Sequence, residues 1–225
     1  MTSSLKILLV SNGFYPEISP RSFRATELAK EFVRQGHQVR AYTKFRDFDY
    51  TEFLNNYPMD LRIWPKYRFQ CIPQWKGKLG LLISRGLKRL ALMLAEYPGI
   101  EDMLKVSSFL RNEGGHDLMI SFAVPYPVQW GVALARTKKH PIAGTWVADC
   151  GDPYMGCDTD SFKKLFYFRW VEKWFMRKAD FISIPIENAR KGYYPEFHRK
   201  IKVIPQGFEF RTISSHGAKM ANPIP

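Results

Sequence analysis

Two kinds of apolar pattern alternate along the chain. Short, nearly continuous apolar runs (Leu5 to Val10, Val39 to Tyr42, Leu61 to Trp64, His116 to Phe122, Pro141 to Ala148, Ala179 to Pro185 and Lys200 to Pro205) read as strands buried on both faces, as in a parallel sheet. Between them apolar residues recur at helical spacing. Phe23, Leu28 and Phe32, with Ala25, Ala29 and Val33 beside them, predict a helix stopped at Gly36. Leu79, Leu82, Ile83, Leu87, Leu90 and Leu94 form one stripe of a second helix over Leu79 to Ala95, whose start Gly77, Gly80 and Gly86 blur. Further helices are expected from Pro98 to about Asn112, from Pro125 to Ala135, from Ser161 to Lys178 and, briefly, from Glu187 to Tyr194; Lys44 to Pro58 reads as a loop or short helix. Strands and helices alternating at this spacing predict an α/β fold, a doubly wound, mostly parallel Rossmann-like sheet with right-handed crossovers.

Composition adds a direction to that picture. The formal net charge is +13 over 225 residues, so an anionic partner is expected: nucleic acid, acidic lipid or a phosphorylated small molecule. The charge is concentrated. From Leu61 to Ala95 there are eight Lys or Arg residues and no Asp or Glu, and Lys78, Arg85, Lys88 and Arg89 lie largely opposite the leucine stripe. Ser161 to Lys178 is also basic and aromatic, with Glu172 its one acid. A basic amphipathic helix with Trp and Phe has the composition of an interfacial membrane helix, and each cation near an acidic leaflet is worth about 1 kcal/mol. A basic solvated face over a core stripe is the other reading of the same residues. Nucleic acid is disfavoured, because no zinc-finger, RNA-binding or helix-turn-helix signature occurs. Cys71, Cys150 and Cys157 lack disulfide or zinc-ligand spacing, which suggests a reducing, cytoplasmic setting and no metal. Met1 to Val10 has no signal-peptide pattern, and Pro125, Pro127 and Gln129 divide the longest uncharged stretch, Leu118 to Ala135, so no membrane span is expected.

Two places could carry chemistry. The first is the loop after the first strand: Asn12 and Gly13, then Pro20, Arg21 and Arg24 at the start of a helix. A helix N-terminus supplies unpaired N–H groups and partial positive charge, Gly13 would let backbone approach a ligand, and the arginines would add full charges for phosphate or carboxylate. Alternatively Gly13 only makes the turn and the arginines face solvent. A dinucleotide site is disfavoured: the loop has one glycine instead of Gly-x-Gly-x-x-Gly, and the second strand ends Tyr42, Thr43, Lys44 without an acid. The second place is the end of the strand over Pro141 to Ala148, where Asp149 and Asp152 stand beside Gly151 and Pro153. Carboxylates there could act as a base, orient a sugar hydroxyl or hold a cation; a turn-forming role is the alternative. His37 and His116 stand at strand starts, the edge away from ligands, and read as structural.

These residues together resemble a family. Lys6 to Ser11 (KILLVS), Phe14 to Glu17 (FYPE), Pro20 to Arg24 (PRSFR), Glu27 to Glu31 (ELAKE) and Gly36, His37 and Val39 resemble the opening of family 4 glycosyltransferases. Asp149 to Pro153 (DCGDP) resembles the Asp-x-x-Asp-Pro segment of its capsular and exopolysaccharide enzymes, and Ala179 to Ser183 and Lys202 to Gly207 (KVIPQG) resemble the family's approach to its interdomain linker. The resemblance implies a two-domain GT-B fold, retention of anomeric configuration and no essential metal. It implies a nucleotide-sugar donor held mainly by the second domain and a saccharide or lipid-linked acceptor held by the first. Gly13, Arg21 and Arg24 would face the donor phosphates, Asp149 and Asp152 would be catalytic, and Gln206 and Gly207 would form the hinge. Asp149 stands where the family usually has His, and Ser19 and Pro20 stand where it usually has Gly-Gly.

On this reading residues 1–210 form the acceptor-side domain, and the small, polar residues 211–225 begin an interdomain linker, so the chain would be one half of an enzyme and inactive alone. Its expected place is cytoplasmic, peripheral on the inner face of a membrane through Lys78, Arg85, Lys88 and Arg89. The competing class is a stand-alone basic binding module recruited to acidic membrane or to a protein.

Overall fold

The computed structural model describes residues 3–44, 48–64, 77–156 and 164–206. Seven strands form one sheet: β1 (Lys6–Val10), β2 (Gln38–Thr43), β3 (Asp60–Ile63), β4 (His116–Phe122), β5 (Ala143–Asp149), β6 (Phe181–Ile184) and β7 (Ile201–Val203), in the order β3-β2-β1-β4-β5-β6-β7. Every pairing is parallel, which makes the sheet purely rather than mostly parallel. The order reverses between β1 and β4, and such a switch point opens a crevice at the carboxyl ends of the strands.

The continuous apolar runs are explained by cover on both faces. In β1, Ile7 and Leu9 point into one core with Ala25, Ala29 and Phe53, while Leu8 and Val10 point into the other with Met119, Trp130, Trp146 and Phe175. The first core is roofed by α1 (Pro20–Arg34) and α2 (Thr51–Asn56), the second by α4 (Ile100–Leu110), α5 (Pro127–Ala135) and α6 (Phe168–Lys178). A further helix, α3 (Lys78–Ala95), joins neither cluster of buried side chains.

Three expectations need correction. The stripe assigned to α1 included Phe23, but Phe23 is exposed; the fully buried part of the packed face is built of the small residues Ser22, Ala25, Thr26 and Ala29, with Leu28, Phe32 and Val33 partly buried against the same core. The helix expected from Ser161 begins only at Phe168. Residues 157–163 lie outside the described residues, and the turn just before Phe168 is held elsewhere: Lys164 pairs with Glu96 at 2.6 Å, and the Tyr167 hydroxyl donates to the Leu94 carbonyl. The helix expected from Glu187 is a 3-10 turn over Glu187–Gly192, followed by a second one over Pro195–Lys200.

Candidate functional site

The helix that follows β1 starts in a well-defined way. Ser19 caps α1, its hydroxyl accepting from the Ser22 amide at 3.2 Å, and Pro20 occupies the first turn, where its missing N–H costs nothing. That start fixes Arg21 and Arg24 one turn apart, over the carboxyl end of the sheet. Ser11 closes the preceding turn by donating to the Gly13 carbonyl at 2.6 Å.

A cavity of about 240 Å³ opens at this edge, lined by Pro20, Arg21, Arg24, Asp149, Gly151, Asp152, Pro185 and Gln206. The two stretches singled out in the sequence are therefore one site. Arg24 Nε donates to Asp149 Oδ2 at 2.7 Å, with side-chain exposures of 8% and 5%, so the pair is buried. Ser183 donates to the same carboxylate oxygen at 2.7 Å from the end of β6, in register with Asp149. Among the described residues Asp149 Oδ1 accepts no hydrogen bond, and the two terminal nitrogens of Arg24 donate none. The geometry thus presents one free carboxylate oxygen and one free guanidinium edge at the wall of the cavity.

Arg21 is held by the loop after β4. Its guanidinium donates to the Ala123 carbonyl and stands 3.7 Å from the exposed Asp152 carboxylate. It lies flat over Gly151, where a Cβ would come within 2.5 Å of Nη2, so Gly151 is the close approach that this site requires. Asp152 is fixed through its backbone, whose carbonyl accepts from the Tyr126 hydroxyl. Gln206 closes the far side by donating to the Pro20 carbonyl at 2.8 Å, tying the exit of the sheet to the start of α1. Gly207 lies outside the described residues.

Asn12 and Gly13 do not line the cavity. The space beside Gly13 is filled by the Ser22 hydroxyl and, at 2.7 Å from where a Cβ would sit, the Glu17 carboxylate, so this glycine admits the chain's own side chains. Lys78, Arg85, Lys88 and Arg89 are all exposed on α3. His37 accepts from the Leu5 amide and His116 pairs with Glu113 at 2.9 Å, both at the opposite edge of the sheet.

Some contributors went unassigned in the sequence. Ser183 ends the Ala179 to Ser183 segment, and its role follows from the β5–β6 register. Gln129 is fully buried in α5; it donates to the Ser121 carbonyl at 2.8 Å and to the Asp149 carbonyl at 3.2 Å, locking the end of β5 to β4. A lone Gln inside an otherwise apolar helix was the available signal. The neighbouring Cys150 thiol is pushed up by burial and then by the Asp149 charge, which makes it a poor nucleophile. Among the described residues no group of three or more His, Cys, Asp or Glu side chains is arranged to hold a metal ion.

Chemically, the site pairs fixed cations with fixed carboxylates around a space smaller than the roughly 300–1,000 Å³ that encloses a whole drug-sized ligand. It suits one charged or hydroxyl-bearing end of a substrate. Residues 22–207 match a family model described as a glycosyl transferase 4-like domain. No curated protein matches the chain.

Proposed function

The chain belongs to the glycosyl transferase 4-like family, and on that premise we propose that it is the acceptor-side domain of a retaining glycosyltransferase. It would move a sugar from a nucleotide-sugar donor to a lipid-linked or saccharide acceptor, in the synthesis of a cell-surface polysaccharide such as a capsule or exopolysaccharide. The observation that carries this reading is the union of Arg21 and Arg24 with Asp149 and Asp152 around one cavity at the carboxyl edge of the sheet.

In the transfer, the bond from the anomeric carbon to the donor diphosphate breaks and the acceptor hydroxyl oxygen bonds to that carbon. The hydroxyl proton leaves with the departing diphosphate. Negative charge builds on the diphosphate, and the free edge of Arg24, with Arg21 beside it, is the feature of this domain suited to meet it. Asp149, pinned by Arg24 and Ser183, would hold the acceptor hydroxyl through Oδ1, and the exposed Asp152 would orient a second hydroxyl. The small cavity fits a division of labour in which most of the donor is held by another domain.

The test is transfer of labelled sugar from a panel of nucleotide sugars to membrane lipid extract and to oligosaccharides, by the protein produced from its complete reading frame. Arg21→Ala leaves the buried Arg24–Asp149 pair in place and should lower the transfer rate about 100-fold, the loss seen when one charge-stabilising donor is removed. Absence of transfer from every donor, or an Arg21→Ala rate equal to wild type, overturns the proposal.

A further inference from the structure

A second surface lies on α3. This helix has eighteen residues, and Ser84 alone is buried. The leucine stripe does not face a core: Leu82 is 66% exposed and Leu90 51%, and Leu79, Leu81, Ile83, Leu87, Leu92, Met93 and Leu94 are exposed with them. Lys78, Arg85, Lys88 and Arg89 are exposed on the same helix, which carries no acid. Since about 25 cal/mol is at stake per square ångström of apolar surface left in water, such a helix is expected to have a partner.

The C-terminal end of α3 is fixed and extends this surface. Glu96 ends the helix in the left-handed region (φ 53°) and accepts from Tyr154 and Lys164, both at 2.6 Å, while Tyr167 donates to the Leu94 carbonyl. These contacts bring the start of α6 alongside, with Phe166 exposed and Trp170 65% exposed, their rings edge to face at 5.7 Å. An exposed Trp and Phe at the border of a leucine-rich, purely cationic helix is the arrangement found at a lipid–water boundary, where aromatic rings sit at headgroup level and Lys and Arg stems lie along the apolar surface with their charges in the headgroups.

We infer that α3, together with Phe166 and Trp170, is a docking surface for an anionic lipid bilayer, lying in the plane of the interface. No helix among the described residues is long and apolar enough to cross a membrane, so the surface binds on one leaflet. Charge decides against a second copy of the chain as the occupant: α3 carries cations and no acid, so the same face brought against itself would oppose cations to cations. The position also matters for the cavity. Tyr154, which holds Glu96, lies two residues beyond Asp152, so a bilayer under α3 adjoins the candidate site and an amphiphilic acceptor would reach it from the membrane plane. The docking itself does not rest on the transferase reading.

The test is flotation of the purified protein with vesicles of phosphatidylcholine alone or mixed with phosphatidylglycerol. Binding is expected only to the anionic vesicles. Arg85→Gln/Lys88→Gln should weaken partitioning about 25-fold, about fivefold for each charge removed near an anionic leaflet. Leu82→Glu/Leu90→Glu should abolish flotation, and because both leucines are exposed its unfolding midpoint should match wild type. Flotation unchanged in both variants, or equal on both kinds of vesicle, overturns the inference. So does absence of flotation, including the case where sedimentation shows self-association that Leu82→Glu/Leu90→Glu removes, since the face would then join two copies.

Discussion

Two helices of this protein are rich in apolar residues and meet opposite fates. In α5 every residue from Pro127 to Ala133 is buried, as is Ala135; in α3 every leucine is exposed. Hydrophobic content therefore does not separate them. What separates them is the distribution of small residues and charge. α5 carries no charge, and Gly131 lets it press against α4, where a Cβ would stand 2.7 Å from the Met103 carbonyl oxygen and the Val106 Cβ. In α3 the small residues Gly80, Ser84 and Ala91 form a narrow strip, the least exposed part of the helix, and the rest of its circumference is shared by the exposed leucines and the cations, which burial would strand. Apolar surface that carries its own cations is kept outside the core.

The largest expected effect breaks the comparison outright if it fails. Trp130→Ala in α5 removes a side chain 1% exposed, packed on Phe168 and Tyr154, and should cost about 3–5 kcal/mol of unfolding free energy. Leu87→Gln in α3 should stay within about 0.5 kcal/mol of wild type. Denaturant unfolding of the two variants measures both. Equal losses would mean that α3 is part of the folded core.

The charged residues divide in the same way. Asp149→Ala strands the buried Arg24 guanidinium and should cost about 3 kcal/mol, whereas Arg24→Met/Asp149→Leu, which removes both charges, should recover most of that loss. Lys88→Gln on α3 should be neutral for stability by the same measurement. Glycines sharpen the contrast further, because they predict opposite signs. Gly131→Ala should destabilise by about 1–3 kcal/mol through overpacking. Gly86→Ala, where a Cβ meets nothing within 4 Å, should stabilise by up to about 1 kcal/mol through helix propensity.

Much of this architecture was readable from residue order, for physical reasons that differ by element. The β1-loop-α1-β2 unit was legible because a run of four buried apolar residues, Ile7 to Val10, and a proline start leave few alternatives. The union of the two candidate sites was not, because Arg24 and Asp149 are 125 positions apart and only the strand order brings them together. Gly13 suits a close approach to ligand, but a loop glycine serves equally to admit Ser22 and Glu17, and local sequence does not say which. Phe23 fits the helical period but faces out, since the fully buried positions of α1 near it are the small residues Ser22, Ala25 and Thr26. For α3 the periodicity was right and the partner open: the same stripe serves a core or an interface, and exposure had to be seen in three dimensions.

The smallest effect concerns pH, and again only the packed side should respond. Glu172 in α6 is buried, and burial raises its carboxyl above the ordinary value of 4.5 even though the Tyr194 hydroxyl at 2.8 Å and the backbone N–H groups of Tyr154 and Met155 oppose the shift. A carboxyl that holds its proton more tightly when folded contributes its full stability below the ordinary value, and that contribution is lost as pH rises from 4.5 through the folded value. Wild type should therefore lose stability relative to Glu172→Gln across that window, and the difference between them should level off above it. Lys88→Gln should show the wild-type profile throughout, because α3 holds no acid to titrate. Melting temperatures of the three proteins from pH 4 to 8 measure this. A Glu172→Gln difference that grows in favour of wild type as pH rises would show that the hydrogen bonds outweigh burial, and that the packed layer tolerates a charge of the kind α3 keeps in the open.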